Sequence, residues 1–277
     1  MEENGGELVG GKSYKWTEAR FNRYVKEGRG SGELESYKPW LTVDDVPSEG
    51  RQHKRKGWKT NREHHFMSDL ELNFFYLLEW TDHIVDIYEQ YPLNLDLTEK
   101  ISKQKNIKHP VDNQTSMLIP FTTDFLVKVY SDGEFKYLAR TIKPSNKLED
   151  RRILEKLEIE REYYAHKEID WGIVTEKELT SNIIKNIDYF HSHYWLEEEL
   201  ERYKELFIGC FLEAEDVWGI INITDSFDRM YSLQVGSAIT IFKHLMARKE
   251  ILLKDMFLPF KFSLCKKEFK TSFEVRA

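Results

Sequence analysis

Thr123-Asp124-Phe125-Leu126-Val127-Lys128-Val129-Tyr130, then Asp132-Gly133, then residues 135–143 form the stretch that decides the fold. The first run has the β-branched and apolar content of a strand. Asp-Gly is a strong two-residue hairpin signal, because the favoured turn needs residues that tolerate positive φ. Residues 135–143 read as the returning strand. Asp124 begins the first strand and Lys143 ends the second, so antiparallel pairing brings them to the same end. Their offsets from the turn are about eight and ten residues, a difference that a bulge or small slip absorbs.

A carboxylate and an ammonium then stand side by side at a sheet end. Mg²⁺ is a hard cation that takes one or two carboxylates plus waters and substrate phosphate oxygens. A nearby Lys stabilises phosphate charge or helps activate water. Glu71 is the third candidate, on an expected helix that starts at Ser68 with Leu70, Phe74, Leu77 and Leu78 as its apolar stripe. Ser68-x-x-Glu71 is also a capping-box signature, in which Glu71 bonds back to the backbone of Ser68. Taken singly, Asp124 also reads as a strand-cap aspartate and Lys143 as an exposed strand-end lysine.

An acid, then an Asp, then a hairpin ending in x-Lys resembles the pattern of PD-(D/E)XK metal-dependent nucleases. The flanking residues narrow the resemblance. Tyr37-Lys38-Pro39-Trp40-Leu41-Thr42-Val43 and Val46-Pro47-Ser48-Glu49-Gly50-Arg51 precede His64-His65-Phe66-Met67-Ser68-Asp69-Leu70-Glu71. Then come Ile107-Lys108-His109-Pro110, the Thr-Asp-Phe-Leu-Val run, Lys143-Pro144 and Leu154-Glu155-Lys156-Leu157-Glu158-Ile159-Glu160-Arg161. In order and spacing the chain resembles the TnsA endonuclease family of heteromeric Tn7-like transposases. The resemblance is dense over residues 26–171. Past residue 180 it rests on length and domain order.

The resemblance implies an α/β protein. A restriction-endonuclease-like catalytic domain, a mixed sheet flanked by helices, would occupy residues 1–175. A mainly helical, winged-helix-like domain would occupy residues 176–277. The implied activity is that of a transposase endonuclease subunit that cuts the 5′ strands at transposon ends. Metal-assisted phosphodiester hydrolysis would leave a 3′ hydroxyl and a 5′ phosphate. Glu71 occupies the family's metal-ligand position, with Asp124 and the backbone carbonyl of Ile142 as further ligands and Lys143 assisting the attacking water. The implied cofactor is Mg²⁺, with Mn²⁺ as a substitute. Thr141 stands where many nucleases of this fold carry Glu or Gln. A hydroxyl is a weaker ligand than a carboxylate, so a metal role for Thr141 and the number of ions stay open. The implied partners are transposon-end DNA, a TnsB-like DDE recombinase that cuts the 3′ ends, and a TnsC-like AAA+ regulator docked on the C-terminal domain. The alternatives are a catalytically impaired scaffold of this fold and a free-standing restriction-type endonuclease.

Composition sets the bounds. A chain of 277 residues holds one large or two medium domains. With 40% apolar and 14% aromatic residues it supports a core rather than disorder. No run of 18 apolar residues and no secretory leader is seen, so no membrane contact is expected. Cys210 and Cys265 are too far apart for a disulfide framework or zinc site. An intracellular, reduced setting fits, and the resemblance implies a bacterial cytoplasmic, nucleoid-associated one.

A net charge of −7 argues against a protein built only to grip nucleic acid. Charge is local, however. Arg51, Lys54, Arg55, Lys56, Lys59 and Arg62 crowd one short segment, with His53, His64 and His65 close by. They are expected to bind backbone phosphate, the alternative being a solvated charge run. His65 is expected to support the site. Residues 239–277, with nine Lys/Arg and four acids, are the second basic segment.

Along the chain, residues 1–12 read as poorly ordered. Thr17 reads as the N-cap of a helix carrying Phe21, Tyr24 and Val25 and ended by Gly28. Residues 84–91 read as a strand ended by Pro92, and His109 as structural. Residues 146–167 read as an amphipathic helix with Ile153, Leu157 and Tyr164 on one stripe. Glu160 falls on that stripe, where a carboxylate is costly unless paired. It is expected to face the metal's water shell or Lys143, with pairing to Arg161 or Arg152 as the alternative. Residues 171–175 read as a short buried strand. Helices are expected around residues 183–190, 196–214, 226–233 and 235–248. Short strands at 251–253 and 260–264 complete the order of a winged helix, with Lys243, Arg248 and Lys249 on its second helix.

Overall fold

The structure, a computed structural model, describes residues 15–45, 50–179 and 182–272. Residues 1–12, the Val46-Pro47-Ser48-Glu49 part of the flanking motif and residues 273–277 of the second basic segment lie outside the described residues. The chain divides into two compact units, Met1–Lys177 and Glu178–Ala277.

The first unit opens with helix α1 (Glu18–Lys26), whose N-cap Thr17 accepts the Arg20 N–H. A hairpin of β1 (His53–Lys56) and β2 (Glu63–Phe66) follows, then helix α2 (Asp69–Trp80). Strands β3 (Ile84–Pro92), β4 (Thr122–Ser131), β5 (Glu134–Ile142) and β6 (Asp170–Val174) form one sheet in that spatial order. Helix α3 (Leu95–Gln104) lies between β3 and β4 in sequence, and α4 (Arg151–Ala165) between β5 and β6. The first two pairings are antiparallel, and β5–β6 is parallel. A parallel neighbour needs a long crossover, which α4 supplies.

Successive strand residues face opposite sides of a sheet. Phe125 meets Phe66 of β2 and Phe74 of α2. Its neighbour Leu126 joins Tyr88, Ile101, Ile159, Tyr163 and Tyr164 in a core under α3 and α4. Both faces are thus covered by helices.

The β4–β5 turn is as the sequence predicts, with Asp132 at φ +56° and Gly133 at φ +82°. The bulge is not needed. The register runs unbroken from Ser131↔Glu134 to Phe125↔Arg140, and a register shift lies instead between β3 and β4, at Ile84/Asp86. Two helical faces also differ from expectation. In α2 the buried residues are Glu71, Leu72, Phe75, Tyr76, Leu78 and Glu79, while Leu70, Phe74 and Leu77 are half-buried. The helix is covered by the hairpin as well as by the sheet, so its buried face is wider than a single stripe. The 146–167 segment opens as a 3₁₀ turn, and α4 proper starts after Asp150, which caps it through Arg152 and Ile153 N–H.

In the second unit a short α5 (Glu176–Leu179) begins at the boundary, followed by α6 (Asn182–His191), α7 (Glu198–Glu201), α8 (Lys204–Glu213), α9 (Ile220–Met230) and α10 (Ser237–Ala247). Strands β7 (Ile251–Leu253) and β8 (Phe269–Thr271) pair antiparallel. The expected 196–214 helix is two helices, and the 226–233 helix begins at Ile220. Residues 260–264 are not the second strand. Phe260 and Phe262 pack on Tyr189 instead, at 5.0 and 5.7 Å between ring centroids, and β8 takes the place beside β7. Asp228 of α9 caps α10 by accepting the Gly236 and Ala238 N–H groups, both at 2.8 Å. Among the described residues no helix is long and apolar enough to cross a membrane.

Candidate active site

One row across the sheet organises the site. The β3–β4 pairs Glu89↔Phe125 and Tyr91↔Thr123 bracket Gln90 and Asp124, and the β4–β5 ladder ends at Phe125↔Arg140, one residue short of Asp124 and Thr141. Asp124 is buried. Its Oδ2 accepts the Ile142 N–H at 2.7 Å and the Lys143 ammonium at 3.0 Å. The Lys143 amide in turn donates to Val174 O at 3.0 Å, which ties the end of β5 to β6. Burial disfavours the Lys143 charge, but the Asp124 charge and hydrogen bond outweigh it and hold its pKa above the usual value. Lys143 is therefore an ammonium at neutral pH.

Glu71 enters from the first turn of α2, where a carboxylate also suits the helix dipole. Ser68 Oγ accepts the Glu71 N–H and donates to Glu71 Oε1 at 3.0 Å. Glu71 Oε2 accepts the Met67 N–H at 3.0 Å, one residue ahead of the partner a standard capping box uses. The cap and the site therefore share one side chain. Burial first, and then the charge of Asp124, push the Glu71 pKa up to about 7.

Glu160 of α4 is buried, and its Oε1 accepts the hydroxyls of Thr123 and Thr141, each at 2.6 Å. Burial pushes its pKa up to about 7, against the pull of those two hydrogen bonds. The expected alternative partners are engaged elsewhere, Arg161 with Glu158 and Arg152 with Glu155. Thr141 also accepts the Trp171 indole N–H at 3.2 Å. Its hydroxyl proton is committed to Glu160.

The remaining predicted residues lie on the hairpin. Arg51, Lys54 and Lys56 are exposed, and Arg55 and Lys59 half-buried. Lys54 pairs with Asp44 at 3.1 Å, and Arg55 donates to the Tyr76 hydroxyl. Arg62 departs from this group. It is buried, donates to both oxygens of Glu89 at 2.7 and 2.5 Å and to Ile87 O, and stacks 4.9 Å from the Tyr37 ring. A guanidinium so engaged presents nothing to a phosphate. His65 lies on β2, its Nδ1 accepting the Val43 N–H at 3.4 Å. His109 is held by Thr98 and by the Pro110 carbonyl.

The sequence reading missed Glu89. It is fully buried on β3, takes Arg62 and His64 together, and stays well below the usual carboxylate range because both neighbours outweigh the effect of burial. A Glu inside an otherwise apolar strand run is the signal that could have found it, since a buried charge needs a partner. It also missed Glu79 of α2, which accepts the Trp58 N–H and is pushed up to about 7 by burial.

Among the described residues no group of three or more His, Cys, Asp or Glu side chains gathers to hold a metal ion unaided. A Mg²⁺-type ion does not require one, because one or two carboxylates suffice when water and phosphate supply the rest. Glu71 and Asp124 are two buried acids, and the Asp124 charge adds to the cost of ionising Glu71, with Glu160 nearby and Lys143 as cation. An all-oxygen donor set with surplus negative charge fits a hard divalent cation.

A mixed sheet between helices, with acid, Asp and Lys converging at the end of a hairpin, defines a nuclease-type domain of the restriction-endonuclease-like class. Comparison with known proteins gives the family. A model described as TnsA-like endonuclease N terminal matches residues 81–176, and one described as TnsA endonuclease C terminal matches residues 178–256. The chain is 40% identical over 233 residues to the transposon Tn7 transposition protein TnsA of Escherichia coli, covering 84% of each. The chain belongs to the TnsA endonuclease family. Asp124, Lys143 and Glu160 fall within the first match, which starts after Glu71.

Proposed function

We propose that this chain is the Mg²⁺-dependent endonuclease subunit of a transposase and cleaves the 5′ strands at transposon ends, with Mn²⁺ able to substitute. The observation that carries the reading is the convergence of Asp124 and Lys143, in contact at 3.0 Å, with buried Glu71, whose pKa the Asp124 charge helps to raise. Glu71, Asp124 and the Ile142 carbonyl would hold the ion. A bound divalent cation supplies Lewis-acid polarisation of the phosphodiester and lowers the pKa of its water. Lys143 presents its ammonium to the charge that builds on the scissile phosphate. Water oxygen adds to phosphorus, the bond to the 3′ oxygen breaks, and the products are a 3′ hydroxyl and a 5′ phosphate. Thr141 and Thr123 act as positioning residues, holding Glu160 behind the row that carries Asp124.

Arg51, Lys54, Arg55, Lys56 and Lys59 contact backbone phosphate and set the register of the duplex. His65 supports them by holding the loop at Val43. The second unit is winged-helix-like, with α9 and α10 as its helix pair. It docks a TnsC-like AAA+ regulator and DNA, and a TnsB-like recombinase cuts the opposite strands. Lys243 and Arg248 lie over the rings of Tyr189 and Tyr194, at 3.9 and 4.6 Å, which favours protein docking over base reading there. The work is done on the bacterial nucleoid, in the cytoplasm.

The test is strand cleavage of an end-labelled transposon-end duplex with Mg²⁺ and the partner proteins. Wild type should cut the 5′ strand, while Asp124→Ala and the gentler Asp124→Asn leave only 3′ nicks. Equal 5′ cleavage by all three would make Asp124 structural and replace this reading with that of a scaffold.

A further inference from the structure

Gln90 interrupts its own strand. It lies in β3 between Glu89, paired with Phe125, and Tyr91, paired with Thr123. Its backbone is nevertheless left-handed, with φ +47°. A strand interior has φ near −120° to −140°. A side chain with a Cβ is strained at positive φ, and such outliers persist where the surroundings over-determine them. Gln90 is buried, and the pairs on either side of it, Glu89↔Phe125 and Tyr91↔Thr123, also flank Asp124.

Its polar contacts say what the distortion achieves. Trp40 N–H donates to the Gln90 carbonyl at 3.2 Å. The Thr122 hydroxyl donates to Oε1 at 3.1 Å. With Oε1 occupied as acceptor, the amide nitrogen is the end turned toward Glu71, with Nε2 3.5 Å from Glu71 Oε2. That is the outer limit of a hydrogen bond.

We propose that Gln90 is a positioning residue for Glu71. Its left-handed backbone aims the carboxamide at the Glu71 carboxylate, and Thr122 fixes which end of the amide faces it. Glu71 then has donors on both oxygens, Ser68 on Oε1 and Met67 with Gln90 on Oε2. These donors orient the carboxylate for a cation shared with Asp124. Outer donors of this kind commonly tune metal affinity by 10–100-fold. The inference rests on the reading of Glu71 as a metal ligand.

The test uses the full chain and Mn²⁺ alone, with free Mn²⁺ followed by electron paramagnetic resonance. Gln90→Ala and Gln90→Gly should each weaken Mn²⁺ binding by about 10-fold. Gln90→Gly should melt above Gln90→Ala, because glycine accepts the left-handed backbone without strain. It also keeps the measurement possible if the alanine variant fails to fold. Wild-type Mn²⁺ affinity in Gln90→Gly overturns the proposal, and a Gln90→Gly chain that melts below Gln90→Ala overturns its backbone argument. Glu71→Gln separates the two levels. If Glu71→Gln also binds Mn²⁺ as wild type does, the metal-site reading itself falls; if only Glu71→Gln weakens it, the Gln90 assignment falls alone.

Discussion

Lys143 Nζ stands 3.0 Å from the same Asp124 oxygen that accepts the Ile142 N–H at 2.7 Å. One carboxylate oxygen therefore fixes both the last peptide of β5 and the side chain that follows it. A third of the Lys143 side chain remains exposed, so the ammonium is held and still presented. Lys143→Met should lower single-turnover cleavage by about 10²–10³-fold, the usual loss when a preorganised charge-stabilising donor is removed. Lys143→Arg should not restore it, because a planar fork replaces a compact point charge. Full activity in Lys143→Met would remove Lys143 from the chemistry.

Stability of the metal-free protein should fall as pH rises through neutrality. Glu71, Glu79 and Glu160 are each pushed up to about 7, in each case first by burial. Unfolded, they titrate near 4.3. Between those values the folded chain binds more protons than the unfolded one. The associated stability is fully present below the unfolded pKa and is lost as pH rises through about 7. Glu89, held low by His64 and Arg62 against burial, has the opposite sign and loses its contribution only in acid. Each kcal/mol lost corresponds to about 2–4 °C for a unit of this size. Calorimetry in chelator should show that fall between pH 5 and 8. Mg²⁺ should reduce it by favouring ionised Glu71. A flat profile in chelator would contradict the assignment.

The hairpin was legible because its signals are local: strand composition, an Asp-Gly turn and a Lys nineteen residues after Asp124. The bulge was unnecessary because a lysine side chain spans the two extra residues. What failed was long-range. Arg62 reads as one more surface charge, since its partner Glu89 lies 27 positions on. Glu79 went unnoticed because its partner Trp58 lies 21 positions earlier, in the turn between β1 and β2. A glutamine in a strand carries no turn signal, so the left-handed Gln90 was invisible. The choice of β8 over residues 260–264 depended on which Phe-rich segment reached β7 and which reached Tyr189.

Asp228 should matter for the stability of the second unit alone. Its two oxygens satisfy the Gly236 and Ala238 N–H groups at the start of α10, and the turn is set by Gly236 at φ +97°. Asp228→Ala removes both acceptors and leaves the buried Ala238 N–H unmatched. The expected cost is about 1–3 kcal/mol. A urea titration followed by fluorescence would read it as an earlier transition. An unchanged midpoint would show that water replaces the carboxylate.

Arg62 and Lys56 belong to one basic run in the sequence, yet their substitutions should separate cleanly. Arg62→Ala leaves the Glu89 charge fully buried with the His64 ring and the His65 N–H beside it, and His64 is itself held toward its neutral form by burial. Breaking a buried pair in this way costs about 3–5 kcal/mol. Lys56 is exposed on β1, and Lys56→Ala should leave stability within about 0.5 kcal/mol. DNA binding should show the reverse. Losing one phosphate contact at Lys56 should weaken duplex binding and reduce the slope of log affinity against log salt by about 1. Arg62→Ala, measured in the cold where it stays folded, should keep the wild-type slope. Urea midpoints and salt-dependent binding of a duplex, taken on both variants, decide the matter. A reduced slope with an unchanged midpoint in Arg62→Ala would return that guanidinium to the DNA-binding face.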